Sequence, residues 1–372
     1  MSAETPAYRY LLCDLLTDRV LADLPLTGVT FERRISRVGS LTATLQATNP
    51  ELIAKAKALH DYAGRSALWV YRNGVLWWGG IVWTATAGQD VRGGVQVQLS
   101  AATFDSYAHH RLLLANVTYT QHDEADIICG LWRLMQAYTN SDIGVVADPQ
   151  YTGTLRDRTY KRTDTPFVGK LIEDLGDVSG GPEHTIDVYL APDGSRVKEL
   201  RVQSRLGYQA PRVVFQRAAQ GGGRVLSWST DRDAVDAGTH FQVRGDAADG
   251  NVGQDVEPQL STTWWWSDLI AAGWPRLDVV EDRSGVSDPQ VLSDAAEGLS
   301  IMRRAPIPHS NYTVQVGDTG WNPNRVGEPV RLKLQDLWHT TTTDLTVRPV
   351  ACKVTPAERG QPETVDLILG DD

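Results

Sequence analysis

Cysteine, positive charge and long apolar segments are all scarce in this sequence. Its 372 residues include three cysteines, far apart, with no CxxC pair. An odd number of isolated cysteines indicates neither a disulfide framework nor a zinc site, so we expect thiols buried in a core. No apolar run approaches the roughly 20 residues that span a bilayer. Residues 1–6 lack the basic and apolar segments of a signal peptide, so we expect no export by that route.

The charge balance is acidic. Lys and Arg total 36 against 46 Asp and Glu, which gives a net charge of −10 and a pI near 5.3. Proteins that hold DNA do so largely through clustered Lys and Arg, which neutralise phosphates, so this balance argues against that function. The most basic stretch, residues 156–162, favours a solvated loop or a contact with an acidic neighbour over a DNA site.

Motifs that carry chemistry are absent from the sequence. It contains no GxSxG elbow, no HExxH pair and no P-loop. His109 and His110 have no acidic or cysteine partner at ligand spacing, which favours a packing role. His122 and Asp126 stand one turn apart at a predicted helix start, where acidic side chains are expected from the helix dipole alone. We therefore predict no catalytic, cofactor-binding or metal-ligating residue and no enzymatic activity, although a hydrolase with dispersed carboxylates would leave no spacing signature.

Tryptophan, in contrast, is abundant and clustered. There are 12 Trp against 5 Phe, with one group in residues 69–83 and another in residues 264–274. Clustered Trp is typical of a sugar-stacking platform, a core or a subunit interface, and composition does not choose among these. Three consecutive large side chains cannot all face one core in a helix or a strand. We therefore predict that at least one of Trp264, Trp265 and Trp266 contacts a partner subunit.

Hydrophobic periodicity predicts a mainly β chain with an α+β insertion. Residues 41–47 alternate apolar and polar side chains, and Asn73-Gly74 between two apolar runs predicts a hairpin. The period changes near residue 113, because Ile128, Leu131, Trp132 and Met135 follow at helical spacing. Strands return near residue 209, and helical stretches interrupt them between residues 251 and 305. No internal repeat is legible.

The order of several segments resembles a known family. The segments are residues 26–31, 41–47, 49–50, 70–81, 165–167, the hairpin around 193–194, 227–229, 239–245 and 327–332. In this order they resemble the minor tail proteins of long-tailed phages (siphoviruses) that infect actinobacteria. Those proteins are similar to the baseplate hub proteins of tailed phages and injection systems. The likeness spans nearly the whole chain and lies in the order of the segments rather than in any single motif.

The resemblance implies an architecture of two tail-tube-like antiparallel β-barrels with a peripheral α/β region. The expected boundaries are residues 1–112 for the first barrel, 113–208 for the peripheral α+β region, 209–250 and 306–372 for the second barrel, and 251–305 for a helical excursion. It also implies a homotrimer, in which three chains form a ring of six similar barrels that continues the tail tube.

The function implied is that of a structural virion protein, a hub at the tail tip that is assembled in the host cytoplasm. It would close or extend the tail tube, with the distal tail protein, the tape measure protein and receptor-binding or tip proteins as partners. DNA would pass without specific binding along an acidic or neutral wall, with residues 156–162 outside it. Many proteins of the resembled family continue into a long C-terminal host-binding or peptidoglycan-cleaving extension. Here the sequence stops at residues 369–372, directly after the last predicted strand, so we expect such activity on another subunit. The alternative is a cell-wall glycan-binding or peptidoglycan-hydrolysing tail protein.

Overall fold

A computed structural model of the chain describes residues 6–89, 93–207, 211–218, 223–247, 257–283, 285–358 and 360–370. The first β unit contains seven strands and one helix: β1 (Tyr8–Asp14), β2 (Val20–Asp23), β3 (Leu26–Arg34), β4 (Ser40–Ala47), α1 (Pro50–Asp61), β5 (Ser66–Arg72), β6 (Val75–Gln89) and β7 (Val95–Thr103). Asn49 caps α1 by accepting a hydrogen bond from the Leu52 N–H. Asn73 and Gly74 have φ values of 47° and 80°, as a two-residue hairpin turn requires, and they join β5 to β6.

The peripheral α+β region follows a 3₁₀ helix at Phe104–His110. Its elements are β8 (Val117–Asp123), α2 (Glu124–Gln136), β9 (Val145–Val146), β10 (Leu155–Tyr160), a short 3₁₀ turn at Arg162–Asp164, α3 (Val168–Gly176), β11 (Glu183–Leu190) and β12 (Arg196–Gln203). Asp123 caps α2 and also accepts hydrogen bonds from the Thr152 and Gly153 backbone N–H groups. The helical spacing predicted for α2 is confirmed, because Ile128, Leu131, Trp132 and Met135 are all buried.

The remaining chain forms a second β unit and an excursion from it. The second β unit contains β13 (Val213–Arg217), β14 (Val225–Asp233), β18 (Ile307–Val314), a 3₁₀ turn at Pro323–Arg325, β19 (Val330–Leu334), β20 (Thr343–Val347), β21 (Pro349–Thr355) and β22 (Thr364–Leu369). The excursion contains β15 (His240–Gly245), β16 (Trp264–Trp265), α4 (Ser267–Ala271), β17 (Asp278–Arg283) and α5 (Pro289–Met302). The prediction of a mainly β fold with an α+β insertion is confirmed.

One strand lies in a different sheet from the one that the sequence suggested. β15 is a strand as predicted, but it pairs with β16 and β17 and α5 covers it, so it belongs to the excursion rather than to the second β unit. Alternation within six residues identifies a strand but does not indicate its partner. The domain boundaries otherwise stay predictions.

The two β units share one continuous sheet. Its strand order is β14-β18-β22-β21-β3-β4-β7-β6-β5-β1-β2, and β21 of the second unit pairs antiparallel with β3 of the first. Lys353 lies opposite Glu32 at this junction, and Val354 lies opposite Phe31. A single hydrophobic core therefore runs beneath both units, including Phe31, Trp78, Val354 and Leu367.

The eight strands on either side of the junction repeat one arrangement. In the first unit the spatial order β3-β4-β7-β6 places the first, second, fourth and third strands of the set side by side. In the second unit β14-β18-β22-β21 has the same order, and every neighbouring pair is antiparallel. The structure thus shows a duplication that the sequence does not reveal.

A glycine pair allows two tryptophans to be buried under β6. A Cβ on Gly79 would lie 2.5 Å from the Trp69 ring, and one on Gly80 would lie 2.2 Å from the Ala102 carbonyl oxygen and 2.5 Å from the Trp78 ring. Both indoles are fully buried. The Trp78-Gly79-Gly80 sequence is therefore explained by close packing.

Within the described residues, no helix is both long enough and apolar enough to cross a lipid bilayer.

Candidate assembly surface

The eight-stranded part of the sheet has one face in the core and one exposed polar face, which we call the polar sheet face. Alternation along β3, β4 and β7 sends the apolar side chains inward and most of the polar ones outward. Most uncharged members of the polar sheet face carry hydroxyl or amide groups, although Ala102 and Ile368 on the same face are apolar. The hydroxyl and amide members are Thr30, Ser40, Thr42, Thr44, Gln46, Thr84, Thr86, Gln96, Gln98, Ser100, Ser227, Ser229, Asn311, Thr313, Thr355 and Thr364.

Neighbouring strands are joined across this face by side-chain hydrogen bonds. The Thr30 and Thr42 hydroxyl oxygens lie 3.0 Å apart, and the Gln46 amide donates to the Gln96 carbonyl oxygen at 3.3 Å. The Thr313 hydroxyl donates to the Asp366 carboxylate at 2.7 Å. The face is therefore a lattice of short polar side chains that stand on adjacent strands.

Few charges interrupt the polar sheet face, and carboxylates outnumber cations. The charged side chains that share its strand parity are Glu32, Asp231, Asp233 and Asp366 with Arg34 and Lys353. Lys353 stands between two of these carboxylates, because it faces Glu32 on one neighbouring strand and Asp366 on the other. Arg34 donates to Glu32 at 2.6 Å. Both cations of the face therefore have a carboxylate beside them.

Both ends of this eight-stranded array have unpaired backbone edges among the described residues. At one end, β14 pairs with β18 alone. At the other end, β6 changes partners along its length: residues 75–81 pair with β5, whereas residues 84–89 pair only with β7. An unpaired edge presents a row of N–H and C=O groups that can accept a further strand. Each chain thus has two edges open to augmentation.

Two buried ionic clusters fix the orientation of the β units. Arg72 of β5 forms a two-pronged contact with Glu363 at 2.6 and 2.9 Å, and the Tyr8 hydroxyl donates to the same carboxylate at 2.5 Å. Burial and the neighbouring Glu363 raise the pKa of Tyr8 well above its usual value, so the hydroxyl stays a donor. This cluster joins β1 and β5 of the first unit to the residue that precedes β22.

The second cluster ties the peripheral region to both units. Arg33 of β3 donates to Asp187 of β11 at 2.5 Å and to the Ile186 carbonyl oxygen at 2.8 Å. The same guanidinium donates to Asn324 at 2.5 Å, and Asn324 in turn donates to the Val188 carbonyl oxygen. Arg33 is 4% exposed, so this cation of the first β unit is held inside the protein by partners from the two other regions.

The three consecutive tryptophans differ in their surroundings. Trp266 is half-buried, its Nε1 donates to the Ser300 carbonyl oxygen, and the Arg304 guanidinium lies 4.1 Å from its ring centroid. Trp264 and Trp265 are 38% and 55% exposed, and Trp265 stacks on His240. The subunit interface predicted for these residues stays a prediction. Trp264 and Trp265 are the two members whose side chains are exposed enough to contact a partner.

The first tryptophan group belongs to the protein's interior. Trp69, Trp77 and Trp78 are at most 3% exposed. Trp83 is half-buried, donates to the Ser106 hydroxyl at 2.9 Å and stacks against His110 at a centroid distance of 4.2 Å. A sugar platform at Trp69, Trp77 and Trp78 is therefore contradicted.

All three cysteines are buried thiols, as the sequence predicts. Burial raises the pKa of Cys13 and of Cys129 to about 11 and that of Cys352 to about 12. The thiols are therefore protonated and unreactive at neutral pH.

The histidines and the basic stretch take structural roles. His109 lies 3.5 Å from Glu173, and His122 lies 3.3 Å from Asp126. In the described part of the chain, no group of three or more His, Cys, Asp or Glu side chains is arranged to hold a metal ion. Residues 156–162 include most of β10, which lies in the peripheral region, and Arg156 donates to the buried Glu124 at 2.8 Å.

Neither the polar sheet face nor the free edges were predicted from the sequence. The alternation in β4 and β7 contains the signal for the face, because every outward residue from Thr42 to Gln46 and from Gln96 to Ser100 is uncharged and polar. The edges depend on strand order, which local periodicity does not encode.

Comparison with known proteins identifies the fold. No protein-family model and no curated protein matches the chain. The prophage MuSo2 43 kDa tail protein from Shewanella oneidensis is similar with a TM-score of 0.56 at 13% identity, covering 98% of both chains. The tail protein from Neisseria meningitidis MC58 gives 0.54 at 13% identity, covering 98% of this chain and 97% of that one. One chain of the Francisella PdpA–VgrG complex gives 0.52 at 7% identity, covering 99% of this chain and 53% of that one. The chain therefore has the fold of these phage tail proteins.

Proposed function

We propose that the chain is a structural component of a phage tail, and that three copies form a hub at the tail tip that closes or extends the tail tube. The observation that carries the proposal is the duplicated four-stranded array with an unpaired edge at each end. Inside one chain, two such arrays join through β21 and β3. The same kind of junction between chains would join β6 of one copy to β14 of the next and close a ring.

The duplication gives the register of this junction. Phe31 lies opposite Leu41 in the first array and Trp228 lies opposite Tyr312 in the second. We align Phe31 with Trp228 because both are aromatic side chains of the first strand of their set and both pack in the shared core. Following the pairings across each array makes Lys353 equivalent to Thr84. Since Glu32 lies opposite Lys353 inside the chain, Ser229 of one copy is expected opposite Thr84 of the next.

The polar sheet face suits the wall of a DNA conduit. Hydroxyl and amide side chains offer phosphate no fixed cation, and the carboxylates that outnumber Lys353 and Arg34 repel it. Among the residues that the structure describes, β10, which holds much of the basic stretch, pairs only with β8 in the peripheral region. The proposal therefore places residues 156–162 outside the conduit.

The partners proposed are those of a hub. They are two further copies of this chain, the distal tail protein, the tape measure protein and a receptor-binding or tip protein, within a virion assembled in the host cytoplasm. The long-tailed actinobacterial phages are the proposed origin. We also propose that the chain acts without catalysis, so that peptidoglycan cleavage belongs to another subunit.

A glycan-binding tail protein is the alternative, and the exposed Trp265 is the observation that favours it. Its indole stacks on His240 beside the polar Gln242 on the same strand, and an exposed aromatic ring with polar neighbours can bind a sugar. A saccharide pulldown with wild type and Trp265→Ala distinguishes the two functions. Retention of host cell-wall glycan that the substitution abolishes would support the alternative.

Disulfide trapping tests the hub. The variant Thr84→Cys/Ser229→Cys places one thiol on each free edge, and the native cysteines are buried and unreactive. Mild oxidation at high protein concentration should yield covalent trimers, resolved by non-reducing electrophoresis and native mass spectrometry.

The matched control is Thr42→Cys/Thr313→Cys, which carries two thiols on the same face but on interior strands. It should stay monomeric after oxidation. Covalent dimers without trimers, or equal cross-linking of both variants, would contradict the ring.

A further inference from the structure

A small cavity lies where the first β unit meets the peripheral region. Its volume is about 20 Å³. The 3₁₀ helix Phe104–His110 contributes one wall, α2 and α3 contribute two others, and β11 and residues 36–38 line the rest. Its lining is mixed, because Ile172 and Leu200 are apolar whereas Arg37, His109 and Glu173 are polar or charged.

Three buried polar atoms without a hydrogen-bond partner belong to residues that line this cavity. They are Asp105 Oδ1, Trp132 Nε1 and His184 Nδ1. Trp132 is 2% exposed and His184 is 7% exposed, so bulk solvent does not satisfy these two side chains. Buried polar atoms are nearly always hydrogen-bonded, and three exceptions around one cavity therefore need a common explanation.

We propose that the cavity is a binding site for one ordered water molecule. The water donates one hydrogen bond to Asp105 Oδ1 and the other to His184 Nδ1, and it accepts one from the Trp132 Nε1–H. A cavity must offer at least about 10–15 Å³ and two to four polar partners to hold a water, and this one meets both conditions.

The donor and acceptor inventory favours water over other small occupants. The indole only donates, the carboxylate only accepts, and a neutral imidazole with its proton on Nε2 accepts at Nδ1. Water is the small molecule that donates twice and accepts at the same time. A cation would face the indole N–H, and an anion would face the carboxylate. Burial lowers the pKa of His184 to about 4, which agrees with a neutral imidazole at neutral pH.

This water would make the joint between the first β unit and the peripheral region specific. Asp105 follows β7 of the first unit, whereas Trp132 and His184 belong to α2 and β11 of the peripheral region. Burial of the apolar cluster between them is favourable in many relative orientations, because it has no directional requirement. A water with three hydrogen bonds is favourable only when all three partners are correctly placed, so it selects one orientation.

A crystal structure of the full chain, at a resolution that shows ordered waters, tests the site. We expect one density peak within hydrogen-bond distance of Asp105 Oδ1, Trp132 Nε1 and His184 Nδ1. The variant Trp132→Phe should lower the occupancy of this peak, because the group that donates a hydrogen bond to the water is gone while two acceptors remain. Trp321→Phe is the matched control, because Trp321 is also 2% exposed with an unpartnered Nε1 but does not line this cavity, and it should keep the peak.

Solution NMR on the wild-type protein provides a second test, which does not depend on whether a variant folds. The Trp132 indole N–H should show a cross-relaxation peak with a long-lived water, and the His184 nitrogen shifts should report an unprotonated Nδ1. An empty cavity, a coordinated cation or a proton on His184 Nδ1 would each overturn the proposal.

Discussion

The pKa values of Asp105 and His184 are shifted in opposite directions, because burial disfavours the charged form of both the acid and the base. Burial raises the pKa of Asp105 from 3.8 to about 6 and lowers that of His184 from 6.5 to about 4. Other charges act on each group: Arg33 lowers and Asp187 raises the pKa of Asp105, whereas Arg37 and His109 lower and Asp177 raises that of His184.

These shifts make opposite contributions to stability. The native Asp105 binds its proton more tightly than the unfolded one, so its contribution to the free energy of unfolding falls as the pH rises from 3.8 through 6. The native His184 binds its proton more weakly, so its contribution is lost as the pH falls from 6.5 through 4. Between about pH 4.5 and 7 each amounts to about 2 kcal/mol, and the two nearly cancel.

Substituting either group should reveal the pH dependence that the other one contributes to the free energy of unfolding. For Asp105→Asn, the free energy of unfolding relative to wild type should rise by about 2 kcal/mol between pH 4.5 and 7, because the opposing acid is gone. For His184→Gln it should fall by a similar amount. Urea unfolding at a series of pH values, followed by tryptophan fluorescence, measures both differences, and subtraction of wild type removes the titration of other groups.

His60→Gln is the control, because His60 is exposed on α1 beside Asp61. Its pH profile should run parallel to that of wild type. If Asp105→Asn and His184→Gln also run parallel to wild type, the inferred opposition of the two buried groups is wrong.

Further substitutions test packing, the clamp between the β units and the absence of catalysis. Gly80→Ala should destabilise by about 1–3 kcal/mol in urea unfolding, since its Cβ has no room, whereas Gly88→Ala on the same strand meets no atom within 4 Å and should cost little. Glu363→Gln leaves Arg72 buried without its charge partner and should cost about 3–5 kcal/mol, against less than about 1 kcal/mol for Asp282→Asn in an exposed pair. Purified protein should release neither reducing sugar nor peptide from host peptidoglycan, and turnover abolished by one carboxylate substitution would refute this expectation.

Local structure was readable from the sequence because its causes are local. The outward polar residues of β4, the cap at Asn49 and the turn at Asn73-Gly74 each depend on fewer than a dozen neighbouring residues. Helical spacing likewise identified the buried side of α2.

Strand partnership was not readable, because its causes are distant in the chain. β3 pairs with β21, more than 300 residues later, and nothing in the pattern of either strand names the other. The burial of Arg33 has the same origin, since its partners Asp187 and Asn324 come from different regions. The alternation of β15 identified a strand but could not show that α5 would cover it.

The hydrophobic core is divided among large and small clusters, and this division determines which parts of the protein unfold first. The two β units share one core and one sheet, so they should lose structure together in a single cooperative step despite the length of the chain. The excursion rests on much smaller clusters, with Phe241, Val243, Leu292 and Leu299 in one and Leu269 in another. Fewer buried contacts mean a lower free energy of local opening. Amide protons of β15 and α5 should therefore exchange with solvent while those of β4 and β22 remain protected, so that the excursion can rearrange against a neighbour without loosening the joined sheet.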